Sequence, residues 1–180
     1  MILGLLHHGI TVSNIEDAIA WYRDVLGLEF VHRQRGENAY TPILVGVPDA
    51  VLEVAQFKIP SPLPRLSTHD LELIQYVSQG FDGEPVPVNQ VGTAHLAFLV
   101  TDIKTLYART RAHGALFRNP PTLITEGANE GGFGCYLHDP DGNTLEFIQP
   151  SPARLQDMRR LLARFAEGST GAAEWSQPSS

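Results

Sequence analysis

The chain has 180 residues, of which 43% are hydrophobic and 18% charged, enough for one core or for two small modules sharing one. Its net charge of −7 disfavours nucleic acid and anionic membranes as partners. The single cysteine, Cys135, excludes an intrachain disulfide and a thiolate cluster within one chain, so metal ligands here would be His, Asp or Glu.

Met1 to Leu6 is apolar but lacks the length and basic start of a signal peptide. No apolar run approaches the roughly 20 residues that span a bilayer. A cytoplasmic protein is the expectation. Leu6 to Val12 reads as a strand. Ser13 or Asn14 can cap the helix that follows, where Ile15, Ala18, Ile19, Tyr22, Val25 and Leu26 recur at helical spacing, and Gly27 can end it. Leu28 to Arg33, Ala50 to Phe57 and Leu71 to Val77 read as strands. Pro60 to Pro64 is a loop, and Phe81 to Gln90 a link. The pattern then recurs. Ala94 to Val100 is a strand, Ile103 to His113 a helix, and Gly114 its stop. Strands follow near Ala115 to Arg118, Gly132 to Leu137 and Asn143 to Gln149. The run Asp139-Pro140-Asp141-Gly142-Asn143 predicts a turn between the last two. Ala153 to Glu167 reads as a helix that packs on its own chain or on a second subunit. The Gly-, Ser-, Ala- and Pro-rich end is expected to be disordered.

The repeat organises the chain. His7, Val12 and Ile15 are matched by His95, Val100 and Ile103 at the same spacing, and Leu71-Glu72-Leu73 by Leu145-Glu146-Phe147. The predicted fold is α+β: two βαβββ modules with curved mixed sheets, and a C-terminal helix. Residues 1–80 form the first module, 81–91 the linker, 92–150 the second module, 151–167 the helix and 168–180 the tail.

Strand alternation sorts the side chains. Leu71, Leu73, Leu145 and Phe147 face the helices, so Glu72 and Glu146 face the other way. His95 shares its phase with Ala97 and Leu99, and His7 with Gly9 and Thr11. His8, one residue out of phase, is the rival to His7. If the sheets close around a shared cup, two imidazoles and two carboxylates converge. That donor set suits a divalent iron, manganese, nickel, cobalt or zinc ion. A lone inward histidine or glutamate is usually structural. Two burying carboxylates without a cation would be costly. In Val51-Leu52-Glu53-Val54-Ala55, Leu52 and Val54 are expected to face the helix and Glu53 the cup, making Glu53 a candidate base. Tyr76, Tyr136, His138 and Arg33 are candidate substrate contacts.

The segments His7-His8-Gly9-Ile10-Thr11-Val12, Trp21 to Gly27, His95-Leu96-Ala97-Phe98 and Asp139 to Glu146 resemble the vicinal oxygen chelate superfamily over about residues 3 to 150. That superfamily includes glyoxalase I, methylmalonyl-CoA epimerase, extradiol dioxygenases, fosfomycin-modifying enzymes and bleomycin-binding proteins. The resemblance implies metal ligands on the first, fourth, fifth and eighth strands, which fall on His7, Glu72, His95 and Glu146. It further implies an isomerase, epimerase or lyase that moves a proton beside a carbonyl or hydroxyl polarised by one divalent metal, with Glu146, Glu72 or Glu53 carrying the proton. The alternatives are an iron(II) extradiol dioxygenase and a non-catalytic resistance module. The resemblance also implies a small-molecule substrate and a homodimer, with the cup formed within one chain or between two.

Overall fold

In the computed structural model, which describes residues 4–61, 67–78 and 86–166, each half of the chain lays a helix across a mixed sheet. The first half runs β1 (His8–Thr11), α1 (Ile15–Ala20), β2 (Glu29–Gly36), α2 (Thr41–Val45), β3 (Leu52–Lys58) and β4 (Leu71–Tyr76). Its sheet has the order β1-β4-β3-β2, with β1 parallel to β4 and the other pairs antiparallel. The second half runs β5 (Leu96–Leu99), α3 (Ile103–Ala112), β6 (Leu116–Phe117), β7 (Thr122–Leu123), β8 (Phe133–His138) and β9 (Thr144–Gln149). Its sheet has the order β5-β9-β8-β6, with β7 pairing on β8. A helix α4 (Pro152–Ala166) follows. No helix among the described residues is long and apolar enough to cross a membrane.

The local chemistry explains these elements. Asn14 adopts an extended backbone and its side chain accepts from the amides of Glu16 and Asp17, so Asn14 rather than Ser13 caps α1. Trp21–Val25 continues α1 as a π-turn, and Gly27 at φ +83° ends it, a backbone state that costs glycine nothing. Gly114 does the same after α3 at φ +90°. Asp102 caps α3 through the amide of Thr105. Two short elements, α2 and β7, escaped the sequence pattern because neither is long enough to show a period. With β7 present, Glu146 lies on β9. The early part of the expected linker (81–85), part of the Pro60–Pro64 loop and the expected tail (168–180) lie outside the described residues.

One buried cluster joins both halves. Ile10, Val12, Ile15, Tyr22, Phe57, Leu71 and Leu73 from the first pack with Phe98, Ile103, Leu137, Leu145 and Phe147 from the second. The helix-covered faces of both sheets therefore share a single core, and the faces bearing Glu72 and Glu146 point away from it. The predicted turn secures this union. The buried Asp139 carboxylate accepts from the amides of Asp141 and Asn143, from the Asn143 side chain at 3.0 Å, and from the Tyr22 hydroxyl at 2.8 Å. Burial pushes the Asp139 carboxyl above its ordinary range, with the Asn143 and Tyr22 hydrogen bonds pulling it back. Asn143 also donates to the carbonyl of Thr11, and Trp21 Nε1 to that of His113.

Asp139→Ala strands a buried hydroxyl and two turn amides and should cost about 3–5 kcal/mol. Tyr22→Phe leaves Asp139 three of its donors and should cost about 1–2 kcal/mol. Urea unfolding of the two variants measures both; equal losses would show that the bond between halves, and not the turn, carries the effect.

Candidate metal centre

Register places the candidate ligands. In the first sheet Gly9 pairs with Glu72; in the second Ala97 pairs with Glu146. His7 and His95 each stand two residues before these partners, so the two are equivalent and His8 matches Leu96. Distances agree: His7 Nε2 lies 3.4 Å from Glu72 Oε2, and His95 Nε2 lies 3.3 Å from Glu146 Oε2. His8 lines a neighbouring cavity of about 570 Å³ with Thr11, Asp141 and Asn143.

A third imidazole joins the first pair. His69 Nε2 lies 3.0 Å from Glu72 Oε1, and its ring stacks on that of His7 with centroids 5.1 Å apart. Gln56, directly across the sheet from Glu72, donates to Glu72 Oε1 at 2.9 Å. Among the described residues, His7, His69 and Glu72 form the one group of three or more such donors within 4.8 Å of one another. His69 was missed in the sequence because it precedes β4 in a loop, where no alternation marks its direction.

The second pair has its own surroundings. Tyr136 faces Glu146 across the sheet, and its hydroxyl lies 3.5 Å from His95 Nε2. Burial and the Glu146 charge raise the Tyr136 hydroxyl above its usual range. His138, on the same face, is buried, and its Nε2 accepts from Arg118 Nε at 2.8 Å. Arg118, Asn119, His95 and Tyr136 line a cavity of about 310 Å³; Arg118 was not foreseen. Cys135 lies on the opposite, core-facing phase, its thiol pushed up to about 11 by burial and Glu146, which leaves it inert.

Two residues sit elsewhere than expected. Glu53 is paired with Gln75 and shares its phase with Ala55 and Phe57, which enter the α1 core. Leu52 and Val54 face the other way, with Ile74 and Tyr76. Glu53 is thus on the helix side of β3, away from Glu72, where Arg33 and Arg35 bind both of its oxygens at 2.9 and 2.8 Å. Those bonds, Arg35 first, hold its carboxyl below the usual range. Arg33 is on that side as well, bridging Glu53 to Glu16 of α1. The reason is a parity error of one: Leu52 and Val54 are apolar because α2 and the 45–47 turn cover them, not because α1 does. Tyr76 does share the Glu72 face.

The donor geometry suits a cation. Two atoms each about 2.1 Å from one ion stand roughly 3.0–3.4 Å apart at octahedral or tetrahedral angles. The three His–Glu contacts, at 3.4, 3.0 and 3.3 Å, match that spacing. His69 Nε2, although buried and close to Glu72, makes no hydrogen bond of good geometry among the described residues. The four expected ligands are not gathered in one chain. They form two His–Glu pairs on sheet faces turned away from the shared core.

The family described as "Glyoxalase/Bleomycin resistance protein/Dioxygenase superfamily" matches residues 4–147. No curated protein sequence matches the chain. Among solved structures, the chain is similar to a glyoxalase family protein from Bacillus cereus, at 20% identity and a TM-score of 0.69, over 84% of this chain and 96% of that one. It is similar to the trypanothione-dependent glyoxalase I of Leishmania major, at 23% identity and a TM-score of 0.56, over 93% and 98%. It also resembles the fosfomycin resistance protein FosX of Listeria monocytogenes complexed with Mn(II) and dihydroxypropylphosphonic acid, at 14% identity and a TM-score of 0.52, over 86% and 98%. At these identities the structures share the fold alone.

Carboxyl titration followed by NMR should place the Glu53 midpoint below that of an unpaired glutamate. Arg35→Ala should move it upward, since the larger of the stabilising bonds is lost. An unmoved midpoint would mean that the arginines do not hold Glu53 in solution.

Proposed function

Because the chain belongs to the glyoxalase/bleomycin resistance protein/dioxygenase superfamily, we propose that it is a metal-dependent isomerase, epimerase or lyase of the glyoxalase I or methylmalonyl-CoA epimerase type. One observation carries this reading: Glu72 and Glu146 each meet an imidazole on the sheet face opposite α1 or α3, with no Lys or Arg paired to either among the described residues. Glu53, by contrast, is neutralised by two arginines. Carboxylates left without a fixed counter-charge are available to a cation and to a proton. His7, Glu72, His95 and Glu146 would hold the ion, which supplies Lewis acidity when bound, lowering the cost of negative charge on a substrate oxygen.

The chain's own groups do the remainder. Glu146 or Glu72 takes the proton from the carbon beside that oxygen and returns it. Gln56 fixes the orientation of Glu72 through Oε1. Tyr136 and Arg118 present donors to a small-molecule substrate in the cavity beside His95.

The cup is completed by a second copy. The faces diverge within one chain, β1 and β5 are edge strands, and Leu99, beside His95 in phase, is 54% exposed. Unpaired edges and uncovered apolar side chains favour docking of a second subunit. In a twofold dimer, His7 and Glu72 of one copy meet His95 and Glu146 of the other.

The His7, His69 and Glu72 group also favours a second reading, an iron(II) ring-cleaving dioxygenase, since two histidines and one carboxylate are a ligand set of non-haem iron oxygenases.

A substrate panel in D2O should reveal proton exchange beside a carbonyl that Glu146→Gln abolishes. Oxygen consumption on catechols with iron(II), in place of exchange, would establish the second reading. Mixing His7→Ala with Glu146→Gln subunits tests the dimer: each variant alone is inactive, and the mixed dimer regains one intact site. No recovery on mixing would place the site within one chain.

A further inference from the structure

The repeat gives each module one histidine and one glutamate, yet the modules are unequal three residues before the glutamate. The second module has Asn143 there, whose side chain binds Asp139 and the Thr11 carbonyl. The first has His69, whose ring turns to Glu72. The side chain of His69 is 8% exposed, so its orientation is fixed by packing rather than by solvent. Ser67 Oγ and Thr68 Oγ1 lie 3.2 and 3.3 Å from its Nδ1. In the tautomer whose Nδ1–H donates to these hydroxyls the lone pair is on Nε2, the usual way in which a neighbouring group readies an imidazole for a metal. Nε2 lies 3.0 Å from a carboxylate oxygen of Glu72 and makes no hydrogen bond of good geometry among the described residues. A shared cation satisfies both atoms at that distance, as a poorly aligned Nε2 proton does not.

We propose that His69 is a metal ligand, and that His7, His69 and Glu72 form a three-donor site for a divalent transition metal within the first module alone. Two imidazoles and a carboxylate suit iron(II), manganese, cobalt, nickel or zinc, and exclude calcium and magnesium as preferred ions. Three donors from one chain hold the ion before the second half-site arrives, so the first module is the loading site and His95 and Glu146 close on an ion already seated. The inference rests on the proposed metal dependence but not on the second half-site or on the reaction.

The test removes the second half-site. The double variant His95→Ala, Glu146→Gln is titrated with Co(II) by calorimetry, and with Cu(II) for pulsed EPR, in which the remote imidazole nitrogens count coordinated histidines. The expected result is one ion per chain with two imidazoles. Adding His69→Asn, the residue type that the second module carries at this position, should reduce the count to one imidazole and weaken Co(II) by at least about tenfold, the scale seen for residues one step removed from a metal. His69→Gln serves as a second variant, with circular dichroism and the melting temperature of the apo protein confirming the fold. An imidazole count unchanged by either substitution would overturn the proposal, since His69 would then only orient Glu72. Absence of binding in the double variant would overturn it as well. Failure of the proton-transfer reading is recorded separately, by the absence of substrate exchange in the metal-loaded wild-type protein.

Discussion

The structure depends on the alternation within one five-residue pattern used twice, Leu71-Glu72-Leu73-Ile74-Gln75 and Leu145-Glu146-Phe147-Ile148-Gln149. Its first, third and fifth residues face the helix. Leu71, Leu73, Leu145 and Phe147 are almost fully buried there. The fifth residue accepts from the helix's first amide: Gln75 from Ile15 at 2.9 Å and Gln149 from Ile103 at 2.8 Å. A single strand thus builds the core, fixes where its helix begins and satisfies an amide that the helix leaves unpaired. Having spent three positions on the helix side, the strand presents its second residue, a glutamate, to the other face. Site and fold share one register, and a slip of one residue would bury Glu72 in the core and expose the leucines.

The same register accounts for the division of the acidic residues into two classes. Glu53 lies on the helix side of β3 and has two guanidinium groups to satisfy it. Glu72 and Glu146 lie on the side opposite α1 or α3 and have imidazoles and, for Glu72, a carboxamide. An arginine pair is permanent because guanidinium does not deprotonate. An imidazole can turn the same lone pair to a proton or to a metal. Placing arginine at one carboxylate and histidine at the others separates a structural ion pair from groups free to bind and to exchange.

Much of this was legible in the sequence. The repeat located His7, Glu72, His95 and Glu146, the phase of Leu71 and Leu145 gave the direction of both glutamates, and Asp139 to Asn143 marked the turn. What escaped was the part that parity does not govern. The apolar residues of β3 alternate on both faces, with Ala55 and Phe57 under α1 and Leu52 and Val54 under α2. A five-residue helix covering the second face was invisible to periodicity, so Glu53 was assigned to the wrong side. His69 lies in a loop and carries no phase at all. Its one available signal was the comparison three residues before each glutamate, histidine in one module and asparagine in the other. Arg118 is marked only by its contact with His138.

The shared core also bears on where the two His–Glu pairs lie. Tyr22 and Asp139 bind the modules through their helix-covered sides, and Trp21 and Asn143 add bonds across the same junction. That junction buries the apolar faces efficiently and turns the two glutamate faces away from the core. Turning them inward within the chain would expose Phe57, Leu71, Leu137 and Phe147, each worth roughly 1.5–3 kcal/mol when buried. The proposed second copy would meet the requirement without that loss, because it would bring the missing face to an edge already open. Under the proposed dimer, the division of ligands between copies is a consequence of how the core is shared. The proposed third donor on the first module follows the same asymmetry, since a half-site completed only by its partner would hold an ion better with three ligands than with two.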